Sequence, residues 1–248
     1  MSRWQAFGIH LGISAVIAAI VLCVLFLVWY PESYFTAMGG EQLVYLLIGV
    51  DVVVGPLITL IIFKVGKRGL VFDLAVIGFM QAAALVYGVT IAAEARPVYT
   101  VFVVDRFEAV SANAIDATDL AKARRPEFAT LSWTGPRVVG VAKPTDAEEH
   151  NRIVFAMAEG KDLQHFPQHY VPYAEVAAEA GRRAQPLESL RRFNREHAGE
   201  VDAFVRRHGL AETEVGFLPL RARLGERAVI VRRNGDIIGT LNLAPWGI

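Results

Sequence analysis

Apolar residues run almost unbroken through three early stretches of the chain, residues 9–30, 43–63 and 70–93, and then give way to alternating and mixed segments. A spanning helix needs roughly 20 mostly apolar residues to cross about 30 Å of hydrocarbon. Each stretch meets that length, and none reads as a soluble core helix. The first has too long an apolar core for a signal peptide, and no small-x-small cleavage site follows it, so it reads as a retained anchor. A lipoprotein site at Cys23 is excluded because Leu22 stands where a small residue is needed.

Past residue 95 the pattern is that of a globular domain. Residues 98–104 are β-branched and predict a strand leaving the membrane. Residues 114–125 predict a helix ended by Pro126, and 137–142 a second strand. Thr145-Asp146-Ala147-Glu148 is a capping-box signature, a hydroxyl cap with a glutamate three residues on, opening a helix that runs to Gly160. Pro167 and Pro172 make 164–173, with His165 and His169, a loop. A helix over 174–183 follows. A charged amphipathic stretch over 187–208 comes next, its apolar positions Leu190, Phe193, Val201, Phe204 and Val205, with a break near Gly199. Strands over 215–222, 227–232 and 236–243 close the chain, the last two joined by Asn234-Gly235 as a type I′ turn. The expected fold is an α-helical membrane part with three transmembrane helices, residues 1–95, followed by an α+β extracytoplasmic domain, residues 96–248, with a meander-like C-terminal sheet. That second part has the strands, caps and length to fold without the first.

Charge sharpens this division and orients it. The 248 residues carry 25 Lys and Arg against 25 Asp and Glu. Before residue 96 the bases are only Arg3, Lys64, Lys67 and Arg68 and the acids only Glu32, Glu41, Asp51, Asp73 and Glu94. The balanced remainder lacks the surplus of Lys and Arg that nucleic-acid binding requires. Short cytoplasmic loops retain Lys and Arg, so Arg3 and the Lys64-to-Arg68 turn belong in the cytoplasm. The base-free segment 31–41, flanked by Trp29, Tyr30 and Tyr34 as an interfacial aromatic belt, belongs outside. The domain after residue 95 is then extracytoplasmic, or periplasmic. Cys23 is the single cysteine and lies in an apolar run, which excludes a disulfide framework and a thiolate metal site.

Candidate chemistry is sparse. Asp51 falls inside the second apolar stretch, where a carboxylate costs about 2.5 to 3.5 kcal/mol and needs a partner or a proton. Gly55 and Pro56, one turn later, predict a kink. Gln81, Thr59 or Tyr87 could bond Asp51 and hold spans two and three together; a partner-binding site and proton or ion movement are the other readings. Asp73 is expected to pair with Lys67 or Arg68. His165 and His169 are four apart, but Pro167 argues against a helical zinc pair, and His197 and His208 read as a solvated face. No serine elbow, phosphate loop or dinucleotide fingerprint occurs, so no enzyme and no cofactor is expected.

Several local sequences together resemble a known family. They are Arg3-Trp4-Gln5-Ala6-Phe7-Gly8-Ile9-His10, Trp29-Tyr30-Pro31, Val50-Asp51, Val54-Gly55-Pro56-Leu57, Phe63-Lys64, Asp73-Leu74, Gln81, Tyr87-Gly88 and Pro245-Trp246. The chain resembles the type IV pilin accessory proteins of the TfpX/TfpZ, FimB-like kind over its whole length, most specifically in the N-terminal half. The resemblance implies a Gram-negative inner-membrane protein needed for pilus assembly or dynamics, including twitching, with no known catalytic residue. It also implies a chaperone-like partner of the major pilin, whose apolar N-terminal helix carries an α-amino cation and a glutamate a few residues in. Other inner-membrane pilus assembly proteins and membrane lipid are further expected partners. Asp51, Gly55, Pro56, Gln81 and Tyr87 are the candidate partner-binding residues. The competing readings are a membrane-anchored sensor with a periplasmic ligand-binding domain, for which no cytoplasmic output domain exists, and a small transporter using Asp51, which three spans would support only as an oligomer.

Overall fold

The computed structural model describes residues 2–31, 34–142, 147–158 and 160–246. Three helices open the chain: α1 (Arg3–Trp29), α2 (Gly40–Ile62) and α3 (Leu70–Ala95), each long and apolar enough to cross a membrane. Ser2 starts α1 with a capping box. Its hydroxyl accepts the Gln5 amide at 3.2 Å and its own amide donates to Gln5 Oε1 at 2.7 Å, satisfying two donors that an open helix end leaves free. Ala6, Ser14 and Ala18 are buried on α1, and Gly55, Pro56 and Thr59 on the segment of α2 that α1 packs against. Small side chains let two backbones approach closely, the usual basis of helix packing in apolar surroundings. Large apolar side chains such as Ile9, Leu27 and Phe79 point outward instead. The α2–α3 turn uses Gly66 and Gly69 at positive φ, and Lys67 pairs with Asp73 at 2.6 Å, as expected.

Only Arg96 separates α3 from β1 (Pro97–Val103), which forms a hairpin with β2 (Arg106–Ser111). β2 is absent from the sequence reading. Its turn, Val104-Asp105, carries no glycine or asparagine, and Val104 adopts φ 58°, rare for a β-branched residue. β3 (Arg137–Val141), α4 (Ala147–Ala158), β4 (Tyr170–Pro172), α5 (Ala177–Arg183), α6 (Leu187–Phe193), α7 (Ala198–Arg207), β5 (Val215–Arg221), β6 (Glu226–Arg232) and β7 (Ile237–Leu241) follow. One mixed seven-stranded sheet results, in the order β4-β3-β1-β2-β5-β6-β7, with β1·β3 and β2·β5 parallel and the other pairs antiparallel. The C-terminal meander is thus one flank of a larger sheet.

Other expectations shift in detail. The helix over 114–125 shrinks to Ala117–Leu120; Arg125 is held extended by Pro126, which disfavours helical backbone before it. The loop over 164–173 contains β4, formed as Val171 pairs with Gly140. The charged stretch breaks at Asn194, not Gly199, because the Asn194 side chain donates to Leu190 O and Ala244 O and accepts the Ala244 amide. Gly199 lies inside α7. The Asn234-Gly235 connection is not type I′, since only Gly235 has positive φ. Gly235 N donates to Arg232 O at 2.9 Å, giving a three-residue loop with glycine in the left-handed position. Thr145 and Asp146 of the capping signature lie outside the described residues.

Both faces of the sheet are covered. Alternation sends Val215 and Phe217 with Ala228 and Ile230 toward Leu190 of α6 and Phe204 of α7, and Leu218 and Leu220 with Val229 toward Phe107 and Ala180. Tyr99, Val101 and Val139 build a third cluster with Phe128 and Tyr170. The α1–α2 connection then ties sheet to helices. Leu224 N donates to Ala37 O at 2.8 Å, Arg227 donates to the Thr36 hydroxyl, and the Tyr34 and Thr100 hydroxyls share a hydrogen bond. Tyr30, fully buried, donates to Ala92 O at 2.8 Å and closes the top of α1 against α3.

Candidate functional site

Helix α2 carries the site because its sequence forbids a regular α-helix there. Pro56 has no amide hydrogen, and its ring excludes the normal bond to the preceding turn. The expected kink takes the form of a wide turn, with π-type bonding over Ile48–Val54 before regular helix resumes at Gly55. Gly55 N donates to Val50 O, five residues back. The Asp51 carbonyl therefore loses the Gly55 amide to Val50, and the next amide in line would be that of Pro56. Gln81 of α3 fills the vacancy, its Nε2 donating to Asp51 O at 3.1 Å. Glycine at 55 is required by this arrangement, since a Cβ there would sit 1.9 Å from Gln81 Nε2.

Asp51, Gly55, Pro56 and Gln81 are thus brought together, but not in the predicted bonding pattern. Gln81 satisfies the Asp51 backbone, not its carboxylate. Thr59 bonds elsewhere, its hydroxyl 2.7 Å from His10 Nδ1. Tyr87 stands apart, 68% exposed on α3. The Asp51 side chain is only 5% exposed, and its Oδ1 has no hydrogen-bond partner among the described residues.

Asp51 also lines a cleft of 240 Å³ between α1 and α3, together with His10, Ser14 and Ile17 from α1 and Gly78 and Gln81 from α3. Gly78 leaves one wall low, and His10 and Ser14 make the facing wall polar. These two α1 residues were missed in the sequence. Their signal is the four-residue spacing Ala6, His10, Ser14, Ala18, which puts small and polar side chains on one helix face. Asp51 lies midway along α2, about 16 Å from either end at 1.5 Å per residue. At 240 Å³ the cleft has room for one polar or cationic group and a few apolar side chains of a helix lying against it, at the level of Asp51.

His165 and His169 are both in the C-terminal sheet domain; the Asp162 amide donates to His165 Nδ1 at 3.0 Å, and burial pushes His165 below its ordinary value. Among the described residues no group of three or more His, Cys, Asp or Glu gathers as a metal site.

Residues 1–39, which include the His10 and Ser14 wall, match the family described as fimbrial assembly protein FimB. Over 234 residues, 93% of this chain and 91% of the relative, the sequence is 33% identical to the fimbrial assembly protein of serogroup I of Dichelobacter nodosus. The chain belongs to the FimB-type fimbrial assembly protein family. A second relative from the same organism, of serogroup E1, is 32% identical over the same length and coverage. A third, of serogroups C1 and C2, is 37% identical over 118 residues, 47% of this chain and 90% of the relative. No solved structure matches. In this FimB-type chain the family resemblance read from Arg3 to His10 and from Val50 to Leu57 falls on α1, one wall of the cleft, and on the part of α2 that carries Asp51.

Proposed function

We propose that the protein is a non-catalytic, multi-pass inner-membrane factor of type IV pilus assembly that holds the major pilin by its apolar N-terminal helix, laid against the cleft between α1 and α3. The observation that carries the reading is the buried Asp51 carboxylate, with an unpartnered oxygen, beside a helix-flanked cleft. A carboxylate in hydrocarbon is costly unless charge or hydrogen bonding compensates it. The pilin α-amino group compensates it as a cation, or the pilin glutamate by sharing a proton. Because Asp51 lies about 16 Å from either end of α2, an amine that reaches it has left the membrane surface. The accessory then acts as a chaperone, keeping pilin in a shifted register before or during polymerisation. The assembly role comes from the relatives' names, and the three apolar helices support membrane residence.

Photocrosslinking in intact cells tests the contact. A crosslinker at Ile17, in the cleft, should capture pilin, whereas one at Tyr87 should not. Equal capture from both positions, or capture only from the outer domain, removes the cleft from the mechanism. Orientation follows the positive charges, with the N-terminus cytoplasmic and the outer domain periplasmic. In a Cys23→Ser background, impermeant thiol reagent applied to spheroplasts should label Ser111→Cys and spare Gly66→Cys. The reverse pattern overturns it.

A further inference from the structure

A tryptophan of the outer part stands at the level where the apolar helices end. Trp133 lies in the connection before β3, and its ring centroid is 6.1 Å from that of Trp29, the last residue of α1. The same connection is fastened to the end of α3. The Arg96 guanidinium stacks over the Trp133 ring at 3.7 Å, its Nε donates to Ser132 O at 2.9 Å, and its Nη1 donates to Ala93 O. Gly135 closes the contact from the other side. Its φ is 91°, and a Cβ there would lie 3.3 Å from Pro31 Cγ and 3.4 Å from Val28 O. Three separate contacts therefore hold this connection against the helix ends, yet Trp133 remains 60% exposed. Bonds of this number are not needed to leave an indole in water.

We infer that the Ser132-Trp133-Thr134 tip is a membrane footing, with Trp133 and Trp29 lying together in the headgroup layer of the bilayer. The occupant of the exposed ring is lipid. An indole has a large apolar body and one N–H donor, and the membrane interface offers an apolar surface beside water and phosphate, which is why Trp concentrates there. The footing is continuous with Trp29 at the end of α1, while Tyr30 beside it is buried against α3, and Arg96 adds a cation at the same level. The consequence is that the outer domain rests on the bilayer beside α1 and not only on the helix that leads into it. This inference rests on the bilayer placement of the three helices proposed above.

Single-tryptophan variants of the full chain, in vesicles of brominated phosphatidylcholine, test both statements separately. One variant keeps Trp133 (Trp4→Phe, Trp29→Phe, Trp246→Phe) and the other keeps Trp29 (Trp4→Phe, Trp133→Phe, Trp246→Phe), with unchanged thermal unfolding as the control for folding. Both should lose emission, more strongly when bromine sits near the headgroup end of the acyl chain than near its terminal methyl. Quenching of Trp29 without quenching of Trp133 overturns the footing, leaves the membrane reading intact and gives the exposed indole to a protein partner. Quenching of neither overturns the membrane reading and the footing with it.

Discussion

Asp51 and Glu108 are almost equally buried, at 5% and 6% exposure, but their surroundings differ. Glu108, on β2, accepts Arg106 Nε at 2.7 Å and Arg221 Nε at 3.1 Å, and Arg221 Nη2 lies 2.9 Å from it. The two arginines satisfy both oxygens, and Arg221 joins β2 to β5 across a parallel pairing of two residue pairs. Asp51 has a satisfied backbone and an unsatisfied carboxylate oxygen. A buried acid with its partners in place is a fastening, and removing one member leaves the others uncompensated. A buried acid with an unpartnered oxygen is instead the group that the pilin contact proposed above would satisfy.

This contrast breaks first at Asp51. Asp51→Leu should leave protein level and thermal unfolding near normal while co-purified pilin falls about 100-fold or more, the loss expected for removing one member of a buried charge pair of about 3 kcal/mol. Asp51→Asn should retain part of the binding through hydrogen bonding. Full piliation with Asp51→Leu at normal protein level rejects the site, and loss of the protein itself makes Asp51 another fastening. Glu108→Ala should do the opposite: outer-domain stability falls by about 1 to 3 kcal/mol, measured by denaturant unfolding, with pilin binding kept by the protein that remains folded.

A smaller effect sharpens the account of α2. Gly55→Ala drives the Gln81 amide from the Asp51 carbonyl, and Gln81→Leu removes that donor directly. Each should cost about 1 to 2 kcal/mol, and the double variant should cost little more than either alone, because both remove one hydrogen bond. Additive losses in a thermal-shift measurement would mean that Gly55 and Gln81 act separately.

The smallest effect is acid sensitivity, and it belongs to the outer part. Burial pushes the Asp119 carboxyl up, but hydrogen bonds from Lys122 and Lys161 more than reverse this and hold it below its ordinary value. Its contribution is complete above about pH 4, the unfolded value, and is lost as pH falls through the lower folded value. His165, depressed by burial, acts in the same direction from about pH 6.5 downward, because the unfolded imidazole takes a proton that the folded one resists. His165→Asn should flatten the stability profile just below neutrality, and Asp119→Asn the steeper acid limb. An unchanged profile in both would place the acid response elsewhere.

How far the sequence carried depended on whether a residue's partners were local. The three apolar helices are written in composition alone, and β1, β3 and the β5-to-β7 meander in alternation and turn residues. Asp51, Gly55, Pro56 and Gln81 stood out because polar, glycine and proline residues are conspicuous in apolar helices. His10 stayed hidden, since its meaning depends on α1 crossing α2 at Thr59, 49 positions away. The role of Gln81 was misread for a similar reason: a wide turn changes which carbonyl is orphaned, and that is a property of the folded backbone. β2 was lost because its turn uses Val104, a residue that normally refuses positive φ. The β2-to-β5 pairing was beyond reach, because Glu108 and Arg221 meet over a separation of 113 residues.

The junction at Arg96 has a mechanical meaning. A flexible tether of several residues lets an attached domain tumble and search its surroundings. Here a helix of 26 residues, about 39 Å long, passes through one residue into β1, the third of seven strands and buried along its whole length. The junction has no slack. A tilt or twist of α3 is delivered undiluted to the middle of the sheet, like the motion of a shaft to a blade fixed on its end, so that whatever leans on the three apolar helices also turns the sheet domain joined to them.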